Sequence, residues 1–180
     1  MDKNLKKSTQ IAVCGLSTAL SVALLFLGGA AFFLAYTIPM FAGFLLIAVK
    51  KTFGTSSAVI TYVSTSLLSL MIVTDRECAI MYVFCFGCYP LVQDSLNKIK
   101  NAFLRVLLKF LFLNSLLAAG QLILVFVFAI PFLEEGEGRI FILIFALAMN
   151  LIFFLYDRIL GRLLFLYSNI LEKHIKRIFK

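Results

Sequence analysis

The sequence predicts an all-α integral membrane protein with six transmembrane helices, both termini on the cytoplasmic side and an amphipathic C-terminal helix. Three observations carry that prediction. The chain is 62% hydrophobic and only 14% charged, against about 45–50% apolar and 25% charged in soluble domains, so lipid must cover part of its apolar surface. The charges are segregated: Lys7 and Lys50 bracket 42 uncharged residues, and further uncharged runs cover Thr52–Thr74, Cys78–Gln93, Phe110–Leu133 and Ile140–Tyr156. These runs are continuously apolar and do not alternate, which argues against a barrel. A helical span needs roughly 20 apolar residues, so the first run holds two spans and each of the others one.

Orientation follows from the basic residues. With six spans the termini share a side, and that side carries 15 of the 17 Lys and Arg residues. Cytoplasmic loops are the basic ones, so the net charge of +8 divides into about +11 inside and −3 outside. The charge is a topology signal and gives no reason to invoke nucleic acid. Residues 1–30 also have the basic start and "GGAA" of a signal peptide, but an apolar core of about 17 residues is long for one. The chain therefore reads as one transmembrane domain, 1–180. It comprises a cytoplasmic N-terminus (1–9), a six-helix bundle (10–159) and a basic cytoplasmic tail (160–180) that suits anionic headgroups.

Span 1, about Gln10–Leu27, places Ala12, Gly15, Ala19 and Ala23 on one stripe. Small residues at this spacing let a second helix approach closely in lipid, either within the bundle or from a partner. The following "GGAAFFLAYTIPMFAGF" reads in two ways: a turn at Gly28-Gly29 with span 2 starting at once or, the preferred reading, an apolar external loop, Gly28–Tyr36. Thr37 would cap span 2, with Pro39 in its first turn, where the missing N–H is harmless. Span 3, Thr55–Val73, is rich in hydroxyls that bond to their own helix or to neighbours. Span 4 enters after Asp75-Arg76-Glu77 and ends near Tyr89-Pro90, and Ser95–Arg105 reads as a basic connector. Within span 4, Cys85-Phe86-Gly87-Cys88 has the C-x-x-C spacing of redox and zinc sites. In apolar surroundings thiolates form poorly, and the adopted reading is close packing of small residues. Span 5, about Arg105–Phe132, carries Asn114 and Gln121, and span 6, Ile140–Tyr156, carries Asn150.

The sequence lacks H-x-x-x-H, P-loop and G-x-S-x-G motifs and paired intramembrane carboxylates. No catalytic residue, metal site or cofactor is expected, and the chain is read as non-enzymatic. The intramembrane polar groups are uncharged. Gln121 and Asn150 fall near the midplane, and Tyr82 near the outer end of span 4. With Phe33 and Tyr36 they form the candidate lining of an outward-opening pocket for a small molecule. Asn114 and Asp157 lie closer to the cytoplasm and are expected to tie spans 5 and 6 together.

Two short motifs carry a resemblance. The stripe ending in Ala19-Leu-Ser-Val-Ala23 is similar to the A-x-x-x-A on the first helix of the substrate-binding S components of energy-coupling-factor (ECF) transporters. Ile38-Pro39-Met40-Phe41-Ala42-Gly43 is similar to the I-P-x-x-x-G that opens their second helix. Length and topology also fit. The resemblance implies a bacterial cytoplasmic-membrane subunit that captures a water-soluble micronutrient such as a vitamin. It also implies docking, through Ala12, Gly15, Ala19 and Ala23, on a transmembrane coupling protein that carries two ATPases. "FGCYP" and "FFLYD" (Phe153–Asp157) also resemble an uncharacterised group of small bacterial membrane proteins. The competing class is a non-transporting scaffold subunit of a cell-envelope complex.

Overall fold

The computed structural model describes residues 3–28, 34–129 and 139–166, and no strand occurs among them. The helices are α1 (Lys3–Gly28), α2 (Leu34–Phe53), α3 (Thr55–Ile72), α4 (Arg76–Ile80), a π-helical segment (Met81–Phe86), α5 (Tyr89–Asn97), α6 (Ala102–Phe128) and α7 (Arg139–Leu166). Six stretches are long and apolar enough to cross a membrane, with α4, the π segment and α5 acting as one span. Large apolar side chains cover the outside, including Met71, Phe126, Leu147 and Leu16, each at least 70% exposed. That surface belongs in lipid, and the protein is accordingly a multi-pass membrane protein.

Local chemistry sets the links. Gly54 alone joins α2 to α3, with φ of 89°, a left-handed conformation that costs glycine little and other residues more. Its N–H bonds to the Lys50 carbonyl at 3.0 Å, so α2 closes and α3 opens on the same residue. Asp75 caps α4 by accepting from the Glu77 and Cys78 amides. Asn101 caps α6 in the same way through Phe103 and Leu104. These side chains satisfy amides that the first helical turn leaves unpaired.

The chain departs from the sequence expectations in four places. The expected loop Gly28–Tyr36 is helical at both ends, because α1 runs through Gly28 and α2 begins at Leu34; Phe33 lies outside the described residues. Tyr36 is drawn into α2: its hydroxyl donates to Glu77 Oε2 at 3.1 Å and its ring meets Phe145 edge-on. Pro39 consequently lies inside the helix. The N-terminal segment is helical from Lys3, consistent with the high helix propensity of Lys and Leu. At the other end α7 continues through Leu166, with Leu160 fully buried, so the helix runs past the expected end of span 6 at Tyr156; residues 167–180 lie outside the description.

The fourth departure is in span 4. It neither runs as a regular helix nor ends at Tyr89-Pro90. The Gly87 amide bonds to the Tyr82 carbonyl at 2.7 Å, five residues back, and Pro90 then falls in the first turn of α5. The span continues to Asn97, and the connector shrinks to residues 98–101. A proline in this position lacks the N–H that would bond to the carbonyl four residues earlier, which is that of Phe86. Tyr156 of α7 supplies the missing donor: its hydroxyl bonds to Phe86 O at 2.9 Å. The Pro90 carbonyl accepts in turn from Lys50 Nζ of α2 at 2.7 Å, and the Leu91 carbonyl does so at 3.2 Å. A broken helix survives in lipid only when such freed groups find partners.

Span 4 is the centre of the bundle. About 56% of its 18-residue apolar stretch is buried, against 17–39% for those of the other five spans, so its faces are covered by protein and theirs partly by lipid. The larger core joins Met81, Cys85, Phe86 and Tyr89 to Leu113 and Leu117 of α6 and to Met149, Phe153, Tyr156 and Leu160 of α7. A smaller one joins Leu25, Ala42, Val73, Cys78, Ala79 and Tyr82. Gly43 of α2 is what lets Tyr156 reach span 4, because a Cβ there would fall on the Tyr156 hydroxyl and 2.5 Å from Phe86 O.

Candidate functional site

Two polar regions stand out, at different places and of opposite character. The first is a knot built on Asp157. Its carboxylate accepts from the Tyr89 hydroxyl, from Gln93 Nε2 at 3.0 Å, and from Lys109 Nζ at 3.0 and 2.9 Å on its two oxygens. Tyr89 and Gln93 come from α5, Lys109 from α6 and Asp157 from α7, so one carboxylate ties three spans. Gln93 is 2% and Lys109 8% exposed. A buried pair of this kind is tolerable only when nearly every donor and lone pair is satisfied, and here the carboxylate carries four hydrogen bonds. Tyr89 also stacks edge-on against Phe153, with centroids 4.6 Å apart. The segments "FGCYP" and "FFLYD" are therefore a single structural unit, joined by Phe86 with Tyr156, Tyr89 with Phe153, and Tyr89 with Asp157.

A cavity of about 480 Å³ opens beside the knot, lined by Gln93, Asn97, Lys109, Asp157, Arg158, Gly161 and Arg162. Lys50 closes a second ion pair at the same end of the bundle, with Asp94 at 2.9 Å.

The second region is a groove of about 640 Å³ between α1 and α3. Gly15 and Ala19 line it from α1, and Ser57, Thr61 and Ser64 from α3. The small-residue stripe of α1 faces outward: Ala12, Gly15, Ala19 and Ala23 are all exposed, and nothing lies within 4 Å of where a Gly15 Cβ would be. The adjacent face of α1 packs inward through Thr18, Ser21, Val22 and Leu25. Behind the groove the hydroxyls of Thr61, Thr65 and Ser66 are buried without hydrogen-bond partners.

Of the pocket-lining candidates, Tyr36 packs against the core cluster that contains Tyr82. Tyr82 is fully buried beside Tyr62, and its hydroxyl faces Thr65 without reaching hydrogen-bonding geometry. Asn150 exchanges two hydrogen bonds with Asn114, at 3.0 and 3.1 Å, so Asn114 ties spans 5 and 6 as expected, but through a residue assigned to the pocket. Gln121 is half-buried on α6, and Tyr36 is held by Glu77. Neither cavity is lined by any of these residues. Asp157 links spans 5 and 6 as expected and adds span 4. The C-x-x-C cysteines are free thiols, Cys85 buried and Cys88 half-buried, and no metal-binding group of three side chains occurs among the described residues.

Sequence reasoning passed over Tyr89, Gln93, Lys109 and Tyr156. One signal pointed to the pair: Lys109 stands two turns inside an apolar helix, and Asp157 lies at the matching depth of an antiparallel neighbour. No family model, no curated protein and no solved structure matches the chain.

Proposed function

We propose that the protein is a docking subunit of a larger membrane assembly, with no energy source or catalytic chemistry of its own. Within that class the reading is the S subunit of an ECF importer in the bacterial cytoplasmic membrane. It would capture a small water-soluble micronutrient such as a vitamin and pass it inward when the coupling protein and its ATPases drive reorientation. The observation that supports this most is the outward stripe of α1. Small residues left on the outside, beside an unfilled groove, suit the close approach of a partner's transmembrane helix. The basic end of the bundle, with Lys50, Lys98, Lys109, Arg158 and Arg162, is then cytoplasmic.

A second reading, a non-transporting scaffold of a cell-envelope complex, is favoured by the internal partners of two candidate pocket residues, Asn150 with Asn114 and Tyr36 with Glu77. Affinity purification from native membranes separates the two. An S subunit brings down a transmembrane coupling protein and two ATPase subunits, and Gly15→Leu/Ala19→Leu releases them while the fold persists. Recovery of cell-envelope proteins without any ATPase defeats the importer reading and supports the scaffold.

A further inference from the structure

We propose that the cavity beside the Asp157 knot is a binding site for a phosphate group, presented by an anionic lipid at the level of its headgroup. The argument begins with charge. Asp157 is saturated by Tyr89, Gln93 and Lys109 and neutralises Lys109. The two guanidinium groups that line the same cavity, Arg158 and Arg162, make no ion pair among the described residues. Arg158 instead lies over the Phe154 ring, 4.8 Å from its centroid, a contact that orients the guanidinium without cancelling its charge. The cavity thus holds two uncompensated positive charges, with Asn97 and Gln93 as further polar groups. Guanidinium forks match phosphate oxygens in geometry as well as charge.

Shape and position favour a lipid as the source. The volume falls within the roughly 300–1,000 Å³ typical of small-molecule sites. Gly161 lies in the wall, and no atom of the described residues stands within 4 Å of where its Cβ would be, so they leave the space over α7 open. Ile159 and Leu163, on the same stretch of α7, are 42% and 36% exposed and offer apolar surface for acyl chains alongside the basic pocket. Basic pockets between helices at the membrane surface are where anionic headgroups bind. The site is separate from the α1 groove and does not depend on the docking reading.

The test is native mass spectrometry of the purified protein titrated with phosphatidic acid or phosphatidylcholine, with a parallel arm of glycerol phosphate added to protein in phosphatidylcholine nanodiscs. Two variants are compared. Arg158→Gln/Arg162→Gln removes the charge, and Gly161→Leu fills the cavity while keeping it. All three positions are exposed, and unchanged circular dichroism and gel filtration confirm the fold. Wild type retains phosphatidic acid over phosphatidylcholine, the double arginine variant loses roughly 30-fold in affinity, at about fivefold per arginine, and Gly161→Leu loses the preference for phosphatidic acid. Equal retention of the two lipids by wild type, without saturable glycerol phosphate binding, overturns the site. So does a Gly161→Leu protein that binds as wild type does, because a diffuse basic surface and not a cavity would then be responsible. Saturable glycerol phosphate binding without lipid preference upholds the phosphate chemistry and overturns the lipid source.

Discussion

The α1–α3 groove and the Asp157 knot are both polar regions in an apolar protein, and they treat their polar groups in opposite ways. In the knot a single carboxylate collects four hydrogen bonds from three side chains. Around the groove the hydroxyls of Thr61, Thr65 and Ser66 are buried and unpaired, and the small residues of α1 are left on the outside. A charge in lipid cannot be left unanswered, so the knot is built as a fixed joint between spans 4, 5 and 6. A hydroxyl costs far less to leave unpaired, so the groove is free to serve contacts made outside the chain. The lesson is that the charged groups of this bundle are fully answered where they join spans, whereas the unpaired hydroxyls stay buried behind the α1–α3 groove.

The largest expected effect breaks the knot. Lys109→Met leaves Asp157 charged, half-buried and short of its cation, and removing one member of a buried pair costs about 3–5 kcal/mol. Denaturant titration in mixed micelles should show that loss, and Lys109→Met/Asp157→Leu should recover most of it. If the single and double variants are equally unstable, the pair is not the joint described. Next is Tyr156→Phe, which strands the Phe86 carbonyl left without a donor by Pro90; about 1–3 kcal/mol is expected, and Gly43→Val should be at least as damaging because its side chain displaces the same hydroxyl. Smaller still is Cys85→Ala/Cys88→Ala. Only a small packing loss is expected, and co-purification of partners should be unchanged; loss of the partners would reinstate thiol chemistry. Smallest is Thr61→Val, which exchanges a buried, unpaired hydroxyl for a methyl of similar volume. Stability should change by under about 1 kcal/mol, in either direction, whereas a drop comparable to Tyr156→Phe would show that the groove hydroxyls carry hidden bonds.

The same contrast explains what was legible in the sequence. Charge-free runs at membrane length locate all six spans, because bilayer thickness acts on every residue of a helix. The internal break of span 4 was not legible, since it depends on Tyr156 and Lys50, dozens of positions away from the carbonyls they satisfy. The start of α2 falls between the two readings the sequence allows, a turn at Gly28-Gly29 and a cap at Thr37: α2 begins at Leu34, and Tyr36 within it reaches the distant Glu77. Among site residues, the exposure of Ala12, Gly15, Ala19 and Ala23 could not be read from their spacing, because small residues serve internal packing equally well. Asn150 was drawn toward Asn114 by hydrogen bonding, which composition alone does not reveal.

The most direct test of the docking account is photo-crosslinking in native membranes. A benzophenone amino acid would be placed at Gly15 or at Ala19, with Leu122 on the exposed face of α6 as the control. The account predicts that positions 15 and 19 form a discrete adduct with a transmembrane protein that co-purifies with ATPase subunits, and that position 122 gives lipid adducts. Lipid adducts alone at all three positions would contradict it.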